Sequence, residues 1–374
     1  MKAPQISIIL PCRNEEQSIG FCLRQVKEVI KKNNLDAEII VSDSSTDKSE
    51  EIARKHNVIL VKHKIGFGDA YLEAFKVARG KFIFMADSDS SYDFNEIPNF
   101  INELEKGYDF VIGDRFKGNM EKGSMPLSHK YIGNPFLSGL FRVFFHSNVQ
   151  DIHCGMRAIS KKALEKLDLQ TTGMEFASEM VLKAVKKKLK IKELTINYYK
   201  RRGKSKLNTY SDGFRHLRFM LLYSPSFLFF APGFVFFILG LVSFLWLYLS
   251  PEIFGIKLFY HPMFLSSLMM IAGYQIIFFG AFAKTYLVMQ FHEKDTISKF
   301  YDYMNVKIAV IIGGIVLLAG AFIYISIFAK WLSSGLGDLN EAKNSIIGLT
   351  FIILGLQTIF SSFILSILGI RKKS

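Results

Sequence analysis

Lys81-Phe82-Ile83-Phe84-Met85-Ala86-Asp87-Ser88-Asp89-Ser90-Ser91-Tyr92-Asp93 joins a short apolar run to a turn crowded with carboxylates. A continuous apolar run bounded by turn residues reads as a strand buried on both faces, of the kind found inside a parallel sheet. Asp87 and Asp89 then stand two residues apart at that strand's carboxyl end. Two hard oxygen ligands in a turn suit Mg2+ or Mn2+, which keeps water and phosphate oxygens as its other ligands, and a nucleotide diphosphate is the natural partner. Such triplets are common in surface turns, so the reading depends on what surrounds this one.

The surroundings repeat the pattern. Apolar runs at 6–10, 38–42, 58–61, 109–113, 156–159 and 191–198 alternate with amphipathic stretches at 17–32, 47–55, 69–78 and 96–106. Alternation of this kind predicts an α/β domain, a largely parallel sheet covered by helices, with ligands at the carboxyl ends of the strands. Polar residues collect at those ends: Pro11, Arg13, Asn14, Glu15 and Glu16 after the first, Asp43 to Asp47 after the second, Gly113-Asp114-Arg115 after the fifth. One such loop could be helix capping alone. Four in succession predict a site. Gly66-Phe67-Gly68 is not a dinucleotide fingerprint, because the third glycine position is Tyr71 and the motif follows the third strand. His153 beside Cys154 lacks further metal-ligand spacing and reads as structural. Phe136, Leu137, Leu140, Phe141, Phe144 and Phe145 form one helical face, open to core packing or to an interfacial helix.

Charge separates this half from the rest. Residues 1–222 hold 37 Lys+Arg and 27 Asp+Glu, whereas residues 223–374 hold only 10 and 6. Four segments free of charged side chains, 227–249, 263–283, 308–329 and 346–370, are each long enough to cross a hydrocarbon core. Buried helices of a soluble core would need charged stripes on at least some of them. Basic residues set the expected orientation: Lys294, Lys299, Lys307, Arg371, Lys372 and Lys373 inside with the N-terminal domain, against Lys257, Lys330 and Lys343 outside. No signal peptide is expected, since Met1–Gln5 runs straight into a strand, and Cys12, Cys22 and Cys154 read as reduced thiols in a cytoplasmic domain. The expected division is 1–210 catalytic, 211–226 interfacial helix, 227–374 transmembrane.

Ahead of the first span, Lys183–Arg218 packs 13 Lys+Arg against Glu193 and Asp212. Anionic lipid head groups account for part of this cluster, and the core around Lys200-Arg201-Arg202-Gly203-Lys204-Ser205-Lys206-Leu207 suits a phosphate. Few aromatics interleave, so nucleic acid is not expected as a partner.

Together these features resemble family-2 glycosyltransferases of the GT-A (Rossmann-like) fold, specifically the polyprenyl-phosphate hexosyltransferases typified by dolichol-phosphate mannose and glucose synthases. The resemblance runs from Ile6 to about Leu222. It is carried by Ile8-Ile9-Leu10-Pro11-Cys12-Arg13-Asn14-Glu15-Glu16, Val41-Ser42-Asp43-Ser44-Ser45-Thr46-Asp47, Asp87-Ser88-Asp89 and Arg202-Gly203-Lys204-Ser205-Lys206-Leu207. It implies that Pro11, Arg13, Glu15 and Asp43 bind the donor nucleotide-sugar, of GDP-mannose or UDP-glucose type. It also implies that Asp87 and Asp89 hold the metal, diphosphate and sugar, that Arg115, Arg202 and Lys206 face phosphates, and that Lys130, Arg202, Ser205 and Lys206 take the acceptor phosphate. Two positions depart from the family pattern: Ser91 stands where Gln is frequent, and Lys130 where many relatives have Arg. The Gln-x-x-Arg-Trp motif of processive polysaccharide synthases is absent.

The implied activity is inverting transfer of mannose or glucose to a dolichyl or undecaprenyl phosphate at the cytoplasmic membrane face. The rivals are another lipid or glycan acceptor, and a transporter whose α/β domain only binds nucleotide-sugar. Spans without acidic residues give that transporter little mechanism. A phosphate acceptor arrives largely ionised near pH 7, so neither Glu175 nor Glu179 is expected to serve as a proton acceptor, although both stand where a base could. Hexose, nucleotide, polyprenol and any oligomeric state stay open.

Overall fold

The computed structural model describes residues 3–203, 209–249, 252–253, 256–258, 260–291, 306–337 and 339–368. The chain divides into two compact units, Met1–Met220 and Leu221–Ser374.

The first unit is a seven-stranded sheet built from β1 (Ile6–Cys12), β2 (Ala37–Asp43), β3 (Ile59–Lys62), β4 (Phe82–Met85), β5 (Phe110–Asp114), β6 (Arg157–Ser160) and β7 (Ile191–Thr195), in spatial order β3-β2-β1-β4-β6-β5-β7. Ile8, Ile9 and Leu10 of β1 and Phe82 to Met85 of β4 are buried whichever face they point to, as central strands covered by helices require. The helices are α1 (Ile19–Lys32), α2 (Ser49–Lys55), α3 (Phe67–Val77), α4 (Ile97–Glu105), α5 (Asn134–Phe145), α6 (Lys161–Leu167), α7 (Phe176–Lys186) and α8 (Thr209–Leu222). In α1, Ile19, Cys22, Leu23, Val26 and Val29 are buried at the three- and four-residue spacing that puts them on one face.

Every strand expected from the sequence is present, and the sheet is mixed. Six strands run one way, while β6 is antiparallel to both β4 and β5. Reversal has a consequence for the site. Because β6 begins where β4 ends, with Arg157 opposite Met85, the residues just before it arrive at the edge occupied by Asp87. The strand order also turns outward at β1 and β4, the kind of switch point where open α/β sheets bind ligands.

In α5 the apolar face is divided: Leu137 and Phe141 are in the core, while Phe136 is exposed. Phe214 of α8 is likewise exposed, whereas Phe219 and Met220 are buried.

Among its described residues, the second unit contains four helices long and apolar enough to cross a membrane, Ser226–Leu249, His261–Met289, Val306–Ser333 and Ala342–Leu368. The first opens on a π-helical turn, Ser226–Phe230, and continues as α9 (Ala231–Leu249); the others belong to α10 (His261–Phe291), α11 (Val306–Ser333) and α12 (Ala342–Leu368). Each carries two glycines seven apart: Gly233 and Gly240, Gly273 and Gly280, Gly313 and Gly320, Gly348 and Gly355. These let the helices pack in antiparallel pairs with backbones nearly touching. A Cβ on Gly273 would lie 2.4 Å from Phe237 N, and one on Gly355 would lie 2.7 Å from Leu317 N. Between apolar helices in lipid, such close packing replaces the hydrophobic drive that lipid removes. The two pairs are joined through α10 and α12 by Ser267 to Thr350 at 2.6 Å and Tyr274 to Thr358 at 2.8 Å.

Candidate active site

The loops after β1 and β2 are knitted into one surface. Asn14 has a left-handed φ of 52°. Its side-chain oxygen accepts from Thr46 N at 2.7 Å, and its own N–H donates to Ser45 Oγ at 2.7 Å. Glu15 N donates to Ser49 Oγ at 2.8 Å, and Glu16 N to Asp47 Oδ2 at 3.2 Å. Asp43 is fully buried at the end of β2, where it accepts from Ser45 N at 3.2 Å and from Lys62 Nζ at 2.9 Å. Lys62, which reasoning from sequence did not select, is held in turn by Glu50. Arg13 is exposed on the rim of this surface.

Across β1 lies the acidic turn. Ser88 donates its hydroxyl to the carbonyl of Pro11, fastening the turn to the first loop. Asp89 is buried, and its Oδ1 accepts both the N–H of Ser91, at 3.0 Å, and the Ser91 hydroxyl. Ser91 thus orients the carboxylate, leaving Oδ2 to face Arg201 Nη1 at 3.5 Å. Asp87 is crowded on most sides yet keeps part of its surface open. Burial, followed by the neighbouring charge of Asp89, pushes it up to about 7, against the pull of Arg115, Arg201 and Arg157. Gly155 makes room for it: a Cβ there would stand 2.5 Å from Asp87 Oδ2.

Among the described residues, no three His, Cys, Asp or Glu side chains converge on one point. Two carboxylates without a third protein ligand suit a hexacoordinate cation that retains water and phosphate oxygens, so Asp87 and Asp89 fit Mg2+ or Mn2+ as their holders.

The cations are arranged less simply than sequence implies. Arg115 is buried, and Asp151 grips it twice, Nε to Oδ2 at 2.6 Å and Nη2 to Oδ1 at 2.9 Å, with the guanidinium over the Tyr198 ring. Arg157 is buried on three carbonyls, those of Cys154, Ala177 and Ile152, and burial lowers its pKa. Arg201 Nη2 is 3.1 Å from Glu15 Oε1, and its Nη1 is 3.5 Å from Asp89 Oδ2. Arg202, the residue expected there, gives its backbone N–H to the carbonyl of Asp89 at 2.9 Å and lays its guanidinium 4.0 Å from the centre of the Phe21 ring. Pro11, Glu15, Asp43, Asp87 and Asp89 therefore share one sheet edge. Lys130 stands on a π-helical turn, His129–Gly133, over the ring of Tyr131. No hydrogen bond or ion pair among the described residues links Lys130 to the acidic turn. Ser205 and Lys206 lie outside the described residues.

Two expectations about neighbouring segments can be compared with the geometry. Gly66 and Gly68 serve close packing, since a Cβ on either would lie 2.4 or 2.1 Å from the carbonyl oxygen of Thr172 or Thr171. The N–H groups of Gly68 and Asp69 donate to the carbonyls of Gly173 and Thr172, so this helix start spends its donors on protein. Glu179 is 1% exposed and fully engaged, accepting from Thr171 N at 2.9 Å, Thr171 Oγ1 at 2.6 Å and Lys183 Nζ at 2.8 Å. It orders the same 171–173 loop.

Sequence reasoning missed Asp151, Gly155 and Arg157, and it placed Arg201 in the phosphate-suited basic run without singling it out. The first three do leave a signal, a charged pair flanking a glycine in Asp151-Ile152-His153-Cys154-Gly155-Met156-Arg157, at the entrance to a strand.

A model of glycosyl transferase family 2 matches residues 7–168, and one of the glycosyltransferase family 2 C-terminal transmembrane region matches residues 281–369. Over 370 residues the chain is 36% identical to the low-salt glycan biosynthesis hexosyltransferase Agl6 of Haloferax volcanii, covering 98% of this chain and 90% of that protein. It is 28% identical over 210 residues to a dolichyl-phosphate hexose transferase of the same organism, covering 56% of this chain and 89% of that one. Among solved structures, it is similar to glucosyl-3-phosphoglycerate synthase from Mycobacterium tuberculosis in complex with Mn2+, UDP and glucosyl-3-phosphoglycerate. The TM-score there is 0.48 at 18% identity, over 59% of this chain and 80% of that one.

Proposed function

The chain belongs to glycosyltransferase family 2 and carries that family's C-terminal transmembrane region, and from this premise we propose that it moves a hexose from a nucleotide-sugar to a polyprenyl phosphate, inverting the anomeric carbon. The observation that carries the proposal is the pairing of Asp87 and Asp89 after β4 with Glu15 and Asp43 across β1. Strands two places apart in a sheet are separated by about 10 Å, a span suited to a nucleoside at β2 whose diphosphate lies at β4.

In this reading Asp43, held by Lys62, accepts a base or ribose hydrogen bond, and Glu15 closes the same pocket. A divalent cation on the Asp pair supplies Lewis-acid stabilisation of the charge that builds on the departing diphosphate. Arg201 adds a fixed positive charge there, in a partly buried setting where such charges count most. Arg202, Ser205, Lys206 and Lys130 are assigned to the acceptor phosphate, which must lie in line with the anomeric carbon. A single in-line displacement inverts that centre. The phosphate nucleophile needs no carboxylate to take its proton, and Glu179, with its oxygens spent on Thr171 and Lys183, supports that economy.

Residues 1–210 would do the chemistry, 211–226 would lie at the interface and 227–374 would anchor the enzyme and admit its lipid. The basic residues of the short loops favour a cytoplasmic catalytic domain and C-terminus. All three native cysteines are buried, so a cysteine placed at Lys330 should be labelled by an impermeant thiol reagent from outside intact cells. Labelling only after lysis would reverse the orientation.

The decisive experiment presents the purified chain with a panel of nucleotide-sugars and a polyprenyl phosphate. Mass spectrometry should find a hexosyl phosphoryl lipid, and NMR should find its anomeric configuration opposite to the donor's. Hexose transferred only to a hydroxyl-bearing lipid or glycan would replace the acceptor, and bound but unconsumed nucleotide-sugar would point to the transporter.

A further inference from the structure

Asp89 shares its two oxygens between two neighbours. Oδ1 is taken by the N–H and hydroxyl of Ser91, so Oδ2, paired with Arg201 Nη1 at 3.5 Å, is the oxygen that would meet a cation. The guanidinium is held in place. Its Nη2 pairs with Glu15 Oε1 at 3.1 Å, its side chain is 24% exposed, its Nε is buried, and the next residue's N–H is fixed to the carbonyl of Asp89 at 2.9 Å. A divalent ion on Oδ2 would therefore sit close to an anchored positive charge in a setting that screens poorly. A diphosphate arriving with that ion changes the sign of the encounter, because its oxygens offer the same guanidinium a bidentate anionic partner.

We propose that Arg201 couples metal binding to donor binding: it opposes a bare divalent cation at Asp89 and favours the cation accompanied by a nucleoside diphosphate. The proposal rests on the donor-site reading above and assigns to Arg201 the role of its electrostatic gate. Coupling of this kind is reciprocal, so the metal strengthens diphosphate binding by the factor with which the diphosphate strengthens metal binding. The Asp pair then loads with metal chiefly as a metal–nucleotide unit.

The test is a Mn2+ titration of the full chain in detergent, followed by electron paramagnetic resonance of the free ion. It is run alone, with saturating UDP and with saturating GDP. Wild type should bind Mn2+ weakly alone and far more tightly with one of the diphosphates. Arg201→Ala should bind Mn2+ alone roughly tenfold more tightly, about 1.4 kcal/mol, with a correspondingly smaller gain from the diphosphate. Arg201→Lys, which keeps the charge but loses the planar fork, should resemble wild type with Mn2+ alone and keep only part of the gain. Lys106→Ala, a charge removed from the far end of α4, sets the baseline for altered net charge.

Equal or weaker binding of Mn2+ alone to Arg201→Ala overturns the proposal. Should that variant fail to fold, as judged by size exclusion, the comparison of Arg201→Gln with Arg201→Lys decides, since only the former should tighten Mn2+. Wild type that binds no Mn2+ even with UDP or GDP would sink the donor-site reading itself, a result distinct from a site that binds metal and nucleotide without coupling.

Discussion

In the proposed site Asp89 would serve as a ligand because one of its oxygens is held still. Ser91 does the holding with two donors, which makes it more than a shortened stand-in for the family's Gln. Asp89→Asn replaces a carboxylate by an amide that binds hard cations poorly. It should abolish transfer while leaving a folded, membrane-inserted protein, and chelator should silence wild type until Mg2+ or Mn2+ is returned. Full turnover in excess chelator would remove the metal from the reaction. Asp87 makes a second, opposite prediction about stability. Its folded pKa is raised from 3.8 to about 7 by burial and by Asp89. A raised carboxyl favours folding most in acid and loses that advantage as pH climbs through 7. In metal-free buffer Asp87→Asn should therefore be more stable than wild type at pH 8, by on the order of 1–3 kcal/mol in chemical denaturation, and the gap should close towards pH 4. A constant gap across that range would mean that Asp87 is not the strained group. The place of Glu15, Asp43, Asp87 and Asp89 could be read from sequence because polar residues that follow a buried strand must lie at the sheet edge. Arg201 could not be told from Arg202. Both stand in one basic run, and only tertiary neighbours, Glu15 for one and Phe21 for the other, decide which pairs with the carboxylates.

At the scale of elements, hydrophobic alternation gave the position of each strand but not the direction of β6. Direction depends on where the long 115–156 connection returns, and no local pattern in that connection fixes it. The four spans were legible by length and lack of charge, while their pairing was not, because an apolar window weighs a glycine and a leucine on one scale. Spacing held the missing information: glycines seven apart, about two turns, recur along one face. Gly313 and Gly314 test this reading side by side. A Cβ on Gly313 would come within 2.9 Å of the Gly355 carbonyl oxygen, whereas one on Gly314 meets nothing within 4 Å. Gly313→Leu should part α11 from α12, lowering the melting temperature in detergent and the yield of inserted protein. Gly314→Ala should be neutral or stabilising by up to about 1 kcal/mol through helix propensity. Equal damage from both would show that the face is not the packing surface.

Taken as a whole, the chain joins a cluster of fixed carboxylates to a transmembrane region with, among the described residues, four helices long and apolar enough to cross a membrane, and the pH dependence of transfer separates its candidate acceptors. A hydroxyl must lose its proton during attack, normally to a positioned carboxylate. A phosphate monoester has its second ionisation near pH 6 and is mostly dianionic at neutral pH. Glu179 is a poor base on structural grounds, since Thr171 and Lys183 already occupy it and protonation would break those contacts. If Asp87 holds the metal as proposed, saturating metal would keep it ionised, and activity should rise along the acceptor's own titration near pH 6 and hold level through about pH 8. With metal limiting, protons compete for Asp87, and the rising limb should move up towards 7. Glu179→Gln should lower stability by loosening the 171–173 loop, and its acidic limb should keep the wild-type midpoint. An acceptor with a shifted phosphate pKa should carry the limb with it. If the limb stayed in place for that acceptor, or vanished in Glu179→Gln, the enzyme would be supplying a base, and a hydroxyl would replace the lipid phosphate as the group that attacks.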